Sequence, residues 1–214
     1  MEVLTMIISI SGLIGSGKDT IAEDLVAKHG FKQESFAGNL KDAKSTIFNW
    51  DRELLEGKTE LGREWRDTID TWWSNRLGIP NLTPRWVLQH WGTEVCRYGF
   101  HDDIWIASLE NKLLESTQDI VISDCRFPNE ISMIKGLGGT TVRVSRGGNP
   151  QWYDIAIAAN TGDGSVYHQQ LLNEMQIHKS EWAWVGTKFD IAITNDGQKE
   201  ELYSCIERVL EIGN

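Results

Sequence analysis

The sequence predicts an α/β fold, a parallel sheet flanked by helices, and three observations carry that prediction. Short apolar runs rich in β-branched residues alternate along the chain with stretches of helical periodicity. A glycine-rich turn, "GLIGSGKDT" at 12–20, stands directly between the first such run and the first helical stretch. Residues 38–116, by contrast, are helical in pattern with no convincing strand, which predicts a helical insertion into the sheet fold.

The first strand is "MIISIS" (6–11), and the helix after it, roughly 17–28, sets Ile21, Leu25 and Val26 at helical spacing. "FKQESFA" (31–37) reads as a second strand. The insertion carries "NLKDAKSTIF", "LGREWRDTIDTWW", "PRWVLQHWGTEVCRY" and "DDIWIASLENKLLE". Strands resume with "DIVISD" (119–124) and "TTVRVSR" (140–146), joined by a short helix after Pro128. Residues 147–165, rich in Gly, Asn and Asp, predict a mobile loop. A last strand, "FDIAIT", precedes "NDG" and a terminal helix whose Leu202, Cys205, Ile206, Val209 and Ile212 form one apolar stripe.

Composition narrows the class. The 214 residues suit one domain of ordinary size with an insertion, and 40% apolar residues suffice for a core. A net charge of -10 argues against direct nucleic-acid binding, which needs a concentrated basic surface, though a local basic pocket is compatible with it. Cys96, Cys125 and Cys205 are far apart and odd in number, the pattern of reduced thiols rather than a disulfide framework or zinc site. The opening apolar run is too short for a bilayer span or signal segment, so no membrane association is expected. Most of the ten tryptophans fall between Trp50 and Trp105, and core packing is the first expectation for each.

The glycine-rich turn fits a phosphate-binding P-loop. Gly12 permits the tight turn, Gly15 and Gly17 let backbone N–H groups close around phosphate oxygens with Ser16 between them, and Lys18 reaches the β and γ phosphates. Asp19 stands where a magnesium-binding Ser or Thr is usual, so a plain flexible connection is the competing reading. A carboxylate there would be repelled by triphosphate unless a cation lay between, which makes Asp19 a candidate magnesium ligand, while Thr20 suits the α-phosphate. Asp124 ends a buried strand at the sheet edge where ligands bind, with Arg126 and Glu130 close behind. Pairing of Asp124 with Arg126, or capping of the next helix, is the bland alternative. Arg85, Gln89 and Thr93 share a helix face in the insertion, and Arg143, Arg146, His178, Lys179 and Glu181 flank the expected mobile loop, as a closing lid would need.

These segments, with "FAGNLKDA", "TPRWVLQHWGTEVCR", "DDIWI", "DCRFPNE", "VRVSRGG", "HKSE" and "ITNDG" in order over nearly the whole chain, resemble the bacteriophage deoxynucleoside monophosphate kinases, which have the P-loop nucleoside monophosphate kinase fold. The family loop reads GKDT, so Asp19 is similar to its pattern. The resemblance implies one P-loop kinase domain over 1–214, with a helical monophosphate-binding insertion at about 38–116 and a lid at about 147–184. It implies that Lys18, Asp19 and Thr20 belong to the ATP and magnesium site, and that Lys41, Arg85, Gly92, Thr93, Trp105, Asp124, Arg126 and Glu130 hold the monophosphate. Arg143 joins Lys18, Asp124 and Arg126 as a catalytic candidate, and Asn195 in "TNDG" is expected against adenine. Ile14 and Gly15 depart from relatives with basic residues inside the loop, and segments 50–80 and 150–177 match least. The expected activity is ATP-dependent phosphorylation of a deoxynucleoside 5′-monophosphate, with Mg2+ as cofactor, in the cytoplasm (of the host, if phage-encoded), with homodimerisation open. A kinase of another small acceptor such as dephospho-coenzyme A, whose loop also resembles "GLIGSGK", and a non-catalytic nucleotide switch are the alternatives.

Overall fold

The computed structural model describes residues 5–161 and 165–213, with the side chains of Ser165 and Ile212 outside the description. Five parallel strands form one sheet in the order β2-β3-β1-β4-β5: β1 (Ile7–Ser11), β2 (Lys32–Glu34), β3 (Ile120–Ile122), β4 (Thr140–Ser145) and β5 (Ile191–Thr194). β1 is buried along its whole length and has a partner on each side, as its unbroken apolar run demands. β2 is shorter than the sequence suggests: only Lys32–Glu34 pair, while Phe31 and Phe36 are buried just outside the ladder.

The chain divides into two compact units. The first runs to Phe36 and resumes at Leu109; it contains the sheet, and its core joins Ile8 and Ile10 of β1, Val142 and Val144 of β4 and Ile193 of β5. Helix α1 (Lys18–His29) adds Ile21, Ala22 and Leu25 to that core, whereas Val26 is turned outward. The terminal helix α12 (Lys199–Gly213) contributes Leu202, Ile206 and Val209, with Cys205 packed beside them; Ile212 of the expected stripe lies outside the described side chains.

The second unit, Ala37–Ser108, is helical. It comprises α2 (Gly38–Phe48), α3 (Arg52–Glu56), α4 (Glu60–Asp67), α5 (Thr71–Leu77), α6 (Pro84–His90), a π-helix (Trp91–Tyr98) and the start of α7 (Ile104–Leu114). Its core gathers Phe48, Trp50, Leu55, Leu82 and Val87, with Trp65, Trp73 and Trp91 packed against them. Trp50 stacks on Phe48 at 4.3 Å, and its indole N–H donates to Asp70 at 2.8 Å, so burial leaves no donor unmet.

The expected loop at 147–165 is a correction. Helix α9 (Tyr153–Thr161) occupies its middle, and α10 (Ser165–Glu174) begins at its end; residues 162–164 lie outside the described ones. Tyr153, Ala156 and Ala159 are buried at helical spacing, a stripe that the surrounding Gly, Asn and Asp composition hides. Helix α8 (Pro128–Gly136) follows β3 as the sequence predicts, and α11 (Lys179–Trp182) precedes β5. Among the described residues no helix is long and apolar enough to cross a membrane.

Candidate active site

The loop at 12–17 leaves the carboxyl end of β1 and opens α1. Two glycines are required by their surroundings. A Cβ on Gly12 would lie 2.2 Å from the carbonyl oxygen of Val144, and one on Gly17, whose φ is +104°, would lie 2.4 Å from Asn195 Nδ2. Asn195, the expected adenine neighbour, donates through Nδ2 to the carbonyl of Ser16 at 2.9 Å, tying the end of β5 to the loop. Ser16 is buried and its hydroxyl has no partner. Gly15 is exposed at the loop tip.

Lys18 Nζ donates to the carbonyl of Leu13 at 2.9 Å, so the side chain curls over its own loop. Burial, and next the Arg126 cation, lower its pKa, against upward pulls from Asp19, Glu181 and Asp124. Arg126 Nη1 donates to Glu181 at 2.5 Å; burial works against the guanidinium charge, but Glu181, with Asp124 and Glu130, outweighs it, so the pKa rises. Asp124 accepts from the hydroxyl of Ser35 at 2.7 Å and the backbone N–H of Phe36 at 3.0 Å. Glu130 is buried, and its Oε2 accepts from the N–H groups of Arg126 (2.7 Å) and Phe127 (3.1 Å), the backward-reaching half of a capping box on α8. Arg143 pairs in register with Ser11 and lies 5.4 Å from the Tyr153 ring and 5.9 Å from the Trp184 ring, within cation–π reach of both.

Asp19 is exposed, and its Oδ1 accepts from Ser123 Oγ at 3.2 Å, which in turn accepts from Gln33 Nε2 at 3.2 Å. Among the described residues no cluster of three or more His, Cys, Asp or Glu could hold a metal. A lone oriented carboxylate beside a phosphate loop nonetheless fits Mg2+, which binds through one or two carboxylates and takes its remaining ligands from water and phosphate. Thr20 follows it in the first turn of α1.

In the second unit Lys41 is buried and donates to Glu56 at 2.8 Å. Burial alone would raise the Glu56 carboxyl, but Lys41 and then Arg52 hold it down at about 2. Arg85 forks onto Asp67, its Nε to Oδ1 and its Nη2 to Oδ2 at 3.0 Å, the geometry a guanidinium also offers to phosphate. Gly92 and Thr93 lie on the π-helix, Thr93 buried, and Trp105 Nε1 donates to the Gly92 carbonyl at 2.8 Å. Sequence reading missed Ser123, Gln33, Glu56 and Asp67, which act on the expected residues from 15 to 104 positions away, beyond any local spacing. Their polar character was the only available signal.

A glycine loop closing the carboxyl end of a buried parallel strand, with a lysine opening the next helix and arginine and carboxylates at the neighbouring strand end, defines a P-loop phosphotransferase. The chain is 30% identical over 215 residues, covering 94% of each protein, to a protein of Acanthamoeba polyphaga mimivirus provisionally named a deoxynucleotide monophosphate kinase. Over 55 residues, 25% of this chain and 22% of the relative, it is 40% identical to the deoxynucleoside-5′-monophosphate kinase of Escherichia phage T5. The chain belongs to the deoxynucleotide monophosphate kinase family. No family model matches it. Among solved structures it is similar to TT1252 from Thermus thermophilus, with 17% identity over 97% of each chain and a TM-score of 0.46.

Proposed function

We propose that this phosphotransferase moves the γ-phosphoryl group of ATP to a deoxynucleoside 5′-monophosphate, giving two diphosphates. The observation that carries the reading is the glycine loop at the carboxyl end of β1 with Lys18 folded over it, while Asp124 and the Glu181-paired Arg126 follow the neighbouring strand β3. In it the loop 12–17, Lys18 and Thr20 hold the ATP phosphates, and Asn195 positions the loop beneath them. Lys41, Arg85, Gly92, Thr93, Trp105, Asp124, Arg126 and Glu130 serve the monophosphate, with insertion 38–116 as its binding element and 147–184 as the lid of one kinase domain. Glu130 serves through the helix it caps. Arg143 and Arg126 spread charge over the moving group.

Mg2+, held at Asp19, would neutralise charge on the β and γ oxygens. The acceptor phosphate is already anionic, so Asp124 orients backbone and substrate rather than acting as a strong base. Lys41 and Arg85 each have a carboxylate partner, Glu56 and Asp67, which the acceptor's phosphate must replace or share.

The test is a panel of eight ribo- and deoxynucleoside monophosphates assayed with ATP and magnesium. ADP formation that depends on an added deoxynucleotide is the expected result. ATP turnover indifferent to every monophosphate would instead favour another acceptor or a switch.

A further inference from the structure

A guanidinium that is to meet a phosphate must be held in direction, and Arg126 has a carboxylate that does so. Glu181 accepts from Arg126 Nη1 at 2.5 Å. No other side chain is hydrogen-bonded to the guanidinium among the described residues, so its remaining donors are left for an oxyanion.

The element carrying Glu181 is firmly held. Trp182, Ala183, Trp184 and Val185, directly after it, are all buried, and Trp184 Nε1 donates to the Glu181 carbonyl at 3.0 Å. Asn160 Nδ2 donates to the carbonyls of Trp182 (3.1 Å), Ala183 (3.3 Å) and Val185 (2.8 Å), stapling the end of α11 to α9. His178 caps the start of α11, its ring accepting from the N–H of Ser180 at 3.2 Å. A carboxylate on such an anchored turn fixes whatever it pairs with.

We propose that Glu181 is a positioning residue for phosphoryl transfer: its anchored carboxylate aims the Arg126 guanidinium before any phosphate arrives. This rests on the reading that Lys18 and Arg126 serve nucleotide phosphates. Glu181 touches no reacting atom in this scheme and acts through its partners.

Glu181→Gln keeps the shape and an acceptor oxygen while removing the charge. Its kcat should fall by about tenfold to a hundredfold, because small misplacement of a phosphate-binding group is costly. The monophosphate KM should stay level or drop as a negative charge leaves the pocket. In an Arg126→Ala background the same change should add less than about twofold. A Glu181→Gln enzyme with kcat within about twofold of the parent, while Arg126→Ala remains impaired, would overturn the proposal and leave the functional reading standing. A lowered Tm with unchanged kcat per folded molecule would overturn it too, as a purely structural role predicts. Normal turnover by Arg126→Ala would remove the functional reading and this inference together.

Discussion

At the scale of single residues, Lys18 and Lys44 show how one side-chain type serves two ends. Lys18 rests on the Leu13 carbonyl and contributes nothing to the apolar core, so Lys18→Ala should leave circular dichroism and Tm near the parent's while phosphoryl transfer falls by orders of magnitude. Its pKa is lowered from 10.5 by burial and Arg126, so the free protein loses the cation as pH rises through that lowered value. Bound triphosphate favours the charged form, so above that value ATP binding must take up a proton, and affinity should decline with pH. Calorimetry in two buffers of different ionisation enthalpy reads the uptake directly. Lys44 is a separate case: it is 1% exposed, with its ammonium 2.7 Å from the Trp91 ring centre, and burial lowers its pKa to about 8 despite a small opposing influence from Cys96. Below pH 8 both folded and unfolded chains carry the charge, and the full cost of burying it is present. Between about 8 and 10.5 the unfolded chain holds a proton that the folded one has released, so stability rises with pH there. Lys44→Met should therefore stabilise the protein at pH 7 by about 1–2 kcal/mol after loss of the cation–π contact, an advantage that shrinks across that window. Chemical denaturation at pH 7 and pH 10 checks both the sign and the trend.

At the scale of elements, α8 illustrates how a binding motif is also a folding motif. Glu130 accepts from the N–H groups of Arg126 and Phe127, so it fixes the backbone that presents Arg126. A glutamine can make the same bonds and an alanine cannot. Glu130→Gln should keep Tm near the parent's and activity within about threefold, whereas Glu130→Ala should cost about 1–2 kcal/mol and disorder the Arg126 backbone. If Glu130 met substrate through its charge, Gln and Ala would be equally impaired in KM, and steady-state kinetics of both variants would show it. The five strands and the helical 37–108 stretch were legible because apolar runs and helical spacing are local signals. The glycine loop was legible because the strand before it and helix after it could both be read. Helix α9 was not, since short Ala-rich turns between Gly and Asn residues look like loop composition. The π-helix at Trp91–Tyr98 was not, because one added residue per turn is set by packing, with Thr93 and Arg97 both buried, and leaves no spacing signature. The pairs Arg126–Glu181 and Asp19–Ser123 span 55 and 104 positions, so only the fold brings them together.

At the scale of the whole molecule, a chain of net charge -10 that handles polyanions must confine its cations, and the two units hold two such sets. Lys18, Arg126 and Arg143 belong to the unit containing the sheet, whereas Lys41 and Arg85 belong to the helical unit, each held there by a carboxylate. If the roles proposed above are right, the two nucleotides should leave different footprints on backbone exchange, because a ligand suppresses local opening of the segments it contacts. ATP with magnesium should slow amide exchange in residues 12–20 and around Asn195, with little effect at 84–98. A deoxynucleoside monophosphate alone should slow exchange at 38–45, 84–98 and 124–130, with little effect at 12–20. Lys18→Ala should erase the first footprint and keep the second, while Arg85→Ala should do the reverse. Protection of residues 12–20 by the monophosphate alone, with 84–98 untouched, would place the acceptor in the sheet-bearing unit and overturn the assignment of Lys41, Arg85, Gly92 and Thr93. Hydrogen exchange read by mass spectrometry resolves these peptides without assuming that the two units unfold as one, a condition that a single melting temperature would require.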